Sequence, residues 1–187
     1  MKIIHTEIPD LVQLELDAFE DERGFFLETW RDTWAKQLKQ TKPFIQDNHA
    51  RSEAKGVLRG LHYQNDPHSQ AKLVWVTRGA VYDVAVDLRE GSPTYHHWCG
   101  LVLSETNRLR FFIPPGFAHG YITLEEGTEF HYKVDAYYHP ASEGGIRWDD
   151  PELGIQWPEI PPILSAKDKE LPLVSSLKPS FVYRKKR

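Results

Sequence analysis

A chain of 187 residues that is 40% hydrophobic, with 6 Trp, 8 Tyr and 9 Phe, has enough apolar surface for one core, and a single domain over 1–187 is expected. Its formal net charge of -4 supplies no bulk positive field, which argues against nucleic acid as a partner and leaves any phosphate to a few placed Arg or Lys side chains. Cys99 is the single cysteine, so no disulfide framework or cysteine-based zinc site is expected, and a reducing compartment fits.

The first dozen residues, broken by Lys2, His5, Glu7 and Asp10, lack the apolar run of a signal peptide or membrane span, and a cytoplasmic location without membrane attachment is expected. Apolar residues then alternate with polar ones in short runs bounded by Gly, Pro, Asn or Asp, the period-two pattern of strands. Strands are predicted over 11–16 and 24–29. Between them and the next, Trp30, Trp34 and Leu38 recur every four residues, predicting one short surface helix over 31–40 with Asp32 near its start. Further strands are predicted over 57–64, 71–77, 80–87, 97–103, 108–113, 119–123 and 128–137. The Pro-rich stretch 157–164 reads as an ordered extended crossing, the last segment as packing back on the body of the protein, and the basic ending 184–187 as a solvated terminus without function. Nine or more short strands with so little helix predict a mainly β fold, a double-sheet jelly-roll barrel able to enclose a ligand.

His62 ends the apolar run Leu58-Arg59-Gly60-Leu61-His62-Tyr63-Gln64, two residues after a glycine that lets ligand or backbone come close. Taken alone, a strand histidine reads first as a hydrogen-bonded core or rim residue. Lys72 shares a strand face with Val74 and Val76; it is either an inward ammonium that needs an anion or an edge lysine that reaches back to water. Phe130, Tyr132, Val134, Ala136 and Tyr138 fall on one face of another predicted strand, which gives an aromatic surface with two hydroxyls or an ordinary tyrosine-containing core. Pro114, Gly116 and His119 hold the Pro-x-Gly-x-x-His spacing of the second cupin motif, and this resemblance implies a cupin-type jelly roll with a few short helices. Metal-binding cupins carry a His-x-His pair where this chain has His62-Tyr63-Gln64. His62, His68 and His119 remain a conceivable imidazole set, but Lys72 would bring positive charge to it and no carboxylate ligand is evident, so no metal is expected.

In combination, Asp21-Glu22-Arg23-Gly24-Phe25-Phe26 with Glu28, Gln46-Asp47-Asn48, Arg59 to Gln64, Pro114 to Gly120, Ser142-Glu143-Gly144, Ile155 to Pro158 and Ser165 to Asp168 closely resemble the dTDP-4-dehydrorhamnose 3,5-epimerase family from about Ile8 to Lys169. The resemblance implies that His62 accepts a proton and is held by Asp168, that Tyr132 donates one from the opposite sugar face, and that Lys72 stabilises an enolate. It also implies that Arg23, Phe26, Glu28, Gln46, Asn48, Arg59, His119, Tyr138, Glu143 and Lys167 serve the nucleotide sugar, Arg59 near the diphosphate. Family members are typically homodimers without metal or coenzyme, and Asp21 to Phe26 would help close a nucleotide pocket across the dimer interface. One conflict with regular geometry arises: Arg59 and His62 have opposite parity on an undistorted strand, unless Gly60 marks a bulge.

The implied reaction turns dTDP-4-dehydro-6-deoxy-D-glucose into dTDP-4-dehydro-L-rhamnose. A C4 ketone acidifies the hydrogens on C3 and C5, so one base can act at either carbon without a redox cofactor. Sibling activities on the same substrate class are inversion at C3 or C5 alone and a keto shift. Two other classes are a metal-dependent cupin built on His62, His68 and His119, and a binder of sugar nucleotides without catalysis.

Overall fold

The computed structural model describes residues 1–178 and 181–184, so the basic ending from residue 185 onward lies outside the described residues. The chain opens with β1 (Lys2–His5) and β2 (Val12–Glu15), followed by the hairpin β3 (Ala18–Asp21) and β4 (Gly24–Leu27). A single helical turn, α1 (Trp34–Gln37), precedes β5 (Gln46–Ser52), β6 (Leu58–Gln64), β7 (Lys72–Arg78) and β8 (Ala80–Asp87). Then come β9 (Trp98–Ser104), β10 (Arg110–Ile113), β11 (Phe117–Thr123), β12 (Thr128–Val134), β13 (Glu143–Gly145) and a second helical turn, α2 (Ala166–Lys169).

The strands form a six-stranded sheet in the order β1-β2-β10-β7-β12-β5, a five-stranded sheet in the order β13-β6-β11-β8-β9, and the separate β3-β4 hairpin. Neighbouring strands pair antiparallel, as in a double-sheet jelly roll. Val74, Val76, Phe111, Ile113 and Phe130 of the larger sheet meet Val81, Ala85, Leu101, Leu103, Phe117 and Tyr121 of the smaller one, and this apolar layer joins the two inner faces. A second cluster covers the outside of the smaller sheet, where Val174 and Phe181 from the last segment bury against Tyr63, Val84 and Ala118. The expected crossing over 157–164 runs beside β6: Ile163 accepts from the Leu58 N–H and donates to Gly56.

Each predicted strand has an observed counterpart, with ends shifted by a few residues. The differences have local causes. Trp34 and Leu38 do bury on one stripe, yet the helix shrinks to α1, because Asp32 accepts from the Trp30 indole instead of capping the helix and Lys39 turns to φ 53°. The strand predicted to Tyr137 stops at Val134, since the Asp135 carboxylate takes the Ala71 N–H and Gln70 binds the Ala136 carbonyl. Tyr138 is therefore not on the β12 face that alternation assigned to it. The conflict at Arg59 is resolved by a register shift: His119 pairs with His62 but Tyr121 pairs with Arg59, so one extra residue on β6 lets both Arg59, which stays exposed, and His62 line one cavity. Gly60, at φ 120°, sits against Gly120; a Cβ on Gly60 would lie 2.6 Å from the Gly120 Cα, so both glycines are needed for the two backbones to approach.

Candidate active site

Past the apolar layer, the inner faces turn polar and enclose a cavity of ≈ 440 Å³. His62 enters it from β6 in the smaller sheet, and Lys72 and Tyr132 enter from β7 and β12 in the larger one, so the imidazole and the phenol line opposing walls of one compartment. Asp168 arrives from α2, whose first turn is fixed by the Ser165 hydroxyl accepting from the Asp168 N–H at 3.1 Å. That cap delivers a carboxylate only 4% exposed to the His62 ring, with Nε2 and Oδ1 2.6 Å apart. Burial lowers the His62 pKa below the ordinary histidine value, Asp168 pulls it back up, and Lys72 and Lys167 push it down. At neutral pH the imidazole is uncharged and its other ring nitrogen carries a free lone pair.

Lys72 is the second notable group. Burial brings its ammonium down to about 8, opposed by the charges of Asp83 and Glu143, and among the described residues it makes no hydrogen bond or ion pair. Arg59 likewise has no carboxylate partner among the described residues, where its side chain reaches the Ser52 hydroxyl at 3.4 Å. Two cations without carboxylate partners in a half-closed cavity make a site for anionic oxygens. Burial raises the Tyr132 phenol, with Arg59 pulling the other way, so it stays protonated.

At the rim, Lys167 pairs with Glu143 at 2.5 Å and Tyr138 donates to the same carboxylate at 2.6 Å. Burial disfavours the Glu143 charge, but these hydrogen bonds outweigh it and hold the group below the usual range. Gln46 and Asn48 hydrogen-bond each other at 2.7 Å on β5 and face the cavity. Deeper in, His119 shares its Nε2 with both oxygens of Asp83 at 2.9 Å. Asp83 was missed from the sequence. Its signal was there, as a carboxylate in the middle of the mostly apolar run of β8, at the parity of Val81 and Ala85; in the structure it is fully buried and paired to the motif histidine.

Of the residues singled out from the sequence, Gln46, Asn48, Arg59, His62, Lys72 and His119 come together here, as do Tyr132, Tyr138, Glu143, Lys167 and Asp168. Arg23, Phe26 and Glu28 do not join them within one chain. Arg23 folds onto Asp21 in the β3-β4 turn, Glu28 pairs with Arg31, and Phe26 stands 67% exposed beside Phe19 and Phe25. The imidazoles weighed as a metal set do not converge: His62 is held by Asp168, His119 by Asp83, and His68 stacks on His139 at 3.8 Å. A wider groove of ≈ 610 Å³ runs along the 148–161 segment, but its Asp150 carboxylate is occupied by the N–H groups of Glu152, Leu153 and Val174. The reactive constellation is in the smaller cavity.

Known proteins of similar sequence and fold share one family description. A family profile described as dTDP-4-dehydrorhamnose 3,5-epimerase matches residues 5–176. The dTDP-4-dehydrorhamnose 3,5-epimerase of Salmonella typhimurium is 49% identical over 176 residues, covering 93% of this chain and 96% of that protein. The Neisseria gonorrhoeae protein of the same name is 50% identical over 169 residues, and there the matched region is 90% of this chain but only 51% of the longer relative. Among solved structures, the dTDP-6-deoxy-D-glucose-3,5-epimerase of Legionella pneumophila Philadelphia 1, in complex with dTDP-4-keto-L-rhamnose, superposes with a TM-score of 0.90 at 46% identity, covering 95% of this chain and 94% of that one. The chain belongs to the dTDP-4-dehydrorhamnose 3,5-epimerase family.

Proposed function

We propose that this chain is an isomerase that converts dTDP-4-dehydro-6-deoxy-D-glucose to dTDP-4-dehydro-L-rhamnose by inverting C3 and C5. The observation that carries the reading is a carboxylate-held neutral imidazole on one sheet facing a protonated phenol on the other, with an unpaired ammonium in the same cavity. His62 takes the hydrogen from the carbon beside the ketone as a proton, and the C–H electron pair moves into an enolate whose charge collects on the C4 oxygen. Asp168 fixes the imidazole tautomer and stabilises the imidazolium that forms. Lys72 places its charge against the enolate oxygen, where water is largely excluded. Tyr132 then protonates the carbon from the opposite face, and the configuration is inverted. Oxidation states at C3 and C5 end as they began, so the chemistry calls for no redox partner.

In this reading Arg59 meets the diphosphate, and Gln46, Asn48, His119, Tyr138, Glu143 and Lys167 position the sugar nucleotide. The exposed Phe19, Phe25 and Phe26 of the β3-β4 hairpin, with Arg23 and Glu28, support a homodimer in which each hairpin covers the cavity mouth of its partner. We take residues 1–187 as one domain, because Val174 and Phe181 bury in the same cluster as Leu61 and Val84. A cytoplasmic site of action is part of the proposal; no helix of the described residues is long and apolar enough to cross a membrane.

Incubation with dTDP-4-dehydro-6-deoxy-D-glucose in heavy water tests the whole reading. Deuterium at both C3 and C5 is the expected outcome. Incorporation at one carbon would make the chain a single epimerase, and none at either would leave only a binder. Tyr132→Phe should keep much of the solvent exchange while losing inversion, as proton NMR ring couplings of the reduced product would reveal; full inversion by this variant would remove the phenol from its role. Arg59→Ala should raise KM by about tenfold or more with little change in kcat, since a phosphate contact made equally in ground and transition states is uniform binding. An unchanged KM would put the diphosphate elsewhere.

A further inference from the structure

The strands that carry Asn48 and Tyr132 into the cavity present a second chemical cluster on their other face. Asn48 pairs directly with Tyr132, and the adjacent pair on β5 and β12 is His49 with His131. Alternation turns that pair outward, together with Glu129 two residues earlier on β12. His49 Nε2 lies 3.3 Å from the Glu129 carboxylate, the two imidazoles stack at 4.1 Å with planes 12° apart, and the donor atoms of all three residues lie within 4.8 Å of one another. Behind His131, the Trp75 indole stacks at 5.7 Å, and the Arg110 guanidinium covers that indole at 4.8 Å. This packing fixes the plane of His131. Proton transfer in the cavity uses none of these groups.

We propose that His49, Glu129 and His131 form a binding site for a borderline divalent transition metal such as Zn²⁺, distinct from the catalytic cavity. Two imidazole nitrogens and a carboxylate oxygen are the donor set such ions favour, whereas Mg²⁺ and Ca²⁺ call for oxygen-rich shells. Tetrahedral zinc with bonds of about 2.0–2.1 Å needs donors roughly 3.3 Å apart. To share one ion the two stacked planes must open from their 12° angle so that the in-plane lone pairs meet, and with His131 fixed by its packing the exposed His49 ring makes that turn by a change of rotamer, drawing donors now within 4.8 Å closer together. Glu129 offsets part of the ion's charge, and water completes the shell. The site lies on the edge strand β5, which is held in its sheet only by β12. A metal joining His49 to His131 would therefore cross-link a directly opposed pair and pin the strand whose inner face carries Gln46 and Asn48. Its role is structural, a clamp on one wall of the cavity.

Isothermal titration calorimetry with zinc chloride on the intact, tag-free protein after dialysis against EDTA gives the test. One ion per chain is expected, with binding weakened about tenfold or more by His131→Leu and by Glu129→Gln. His68→Ala, which removes a ring from the other stacked histidine pair, should bind zinc as the parent does. Saturating zinc should raise the melting temperature of the parent by roughly 5 °C and leave that of His131→Leu unchanged, while Mg²⁺ moves neither. Melting of the metal-free variants near the parent temperature shows that they fold. No saturable zinc binding, or binding that survives both substitutions, or binding lost equally in His68→Ala, would overturn the proposal.

Discussion

His62→Ala is expected to lower kcat by roughly 10²- to 10⁴-fold and to stop deuterium entering C3 and C5 from heavy water, because the other imidazole of this wall, His119, is buried deeper and its Nε2 is already taken by both oxygens of Asp83. Binding of dTDP, read by calorimetry, should change little, since Arg59 and the rim contacts remain. The alanine has a second effect that must be separated from the first: it leaves the buried Asp168 carboxylate without its partner and so costs stability. His62→Asn separates them. Its amide can still donate to Asp168, so stability to urea should recover, yet an amide cannot accept the substrate proton and turnover should stay down. Exchange at the wild-type rate in His62→Asn would remove the imidazole from the mechanism. In the parent, the lowered His62 pKa means that the base is neutral at pH 7 and becomes protonated only as the pH falls through a value below 6.5, where activity is lost. Asp168→Ala removes an upward pull, so that acid limb should move to lower pH while the rate falls for want of imidazolium stabilisation.

What could be read from the sequence follows the chemistry of each strand. β8 runs over Ala80–Asp87 with its apolar residues in view, and its bounds match the expectation residue for residue. β5 was invisible to the same method, because its inward side chains are Gln46, Asn48 and Ala50; a strand that faces a polar cavity shows no apolar alternation, whatever its backbone does. Of the β3-β4 hairpin only β4 was predicted, within 24–29; β3 is hidden for a related reason, since its one aromatic, Phe19, is exposed in the single chain and points to no core within this molecule. The cavity residues on regular strands, Lys72 and Tyr132, could be placed by parity. His62 and Arg59 could not, because a register shift around Gly60 breaks the counting. Asp168 could be reached only through resemblance: no periodicity links a helical turn to a strand more than a hundred residues earlier, and the 2.6 Å contact between them exists only in three dimensions. The three-residue cluster on the back of β12 escaped for want of any motif, being made by cross-strand pairing alone.

Lys72→Met should cost about as much as losing the base, roughly 10²- to 10³-fold in kcat, because charge that builds on the C4 oxygen during enolisation would lose its ammonium, while the other cations of the cavity are taken up elsewhere, Arg59 by the diphosphate in this reading and Lys167 by Glu143. Methionine keeps the length and the apolar stem, so the walls of the cavity should hold. The ground-state ketone carries little charge, and KM is therefore expected to change far less than kcat. The pH profile distinguishes this from simple damage. Burial puts the ammonium at about 8, so it is charged below that pH and neutral above it, and the parent should lose kcat/KM as the pH rises through that value. The variant has nothing there to titrate, and its alkaline limb near 8 should vanish; the raised Tyr132 phenol stays protonated through the same window. At the acid end the effect has the opposite cause. Lys72 pushes the His62 pKa down, so removing it should move the acid limb to higher pH. A variant with a uniformly reduced rate and both limbs unmoved would mean that the ammonium is a packing element of β7, and that the enolate is stabilised by another group.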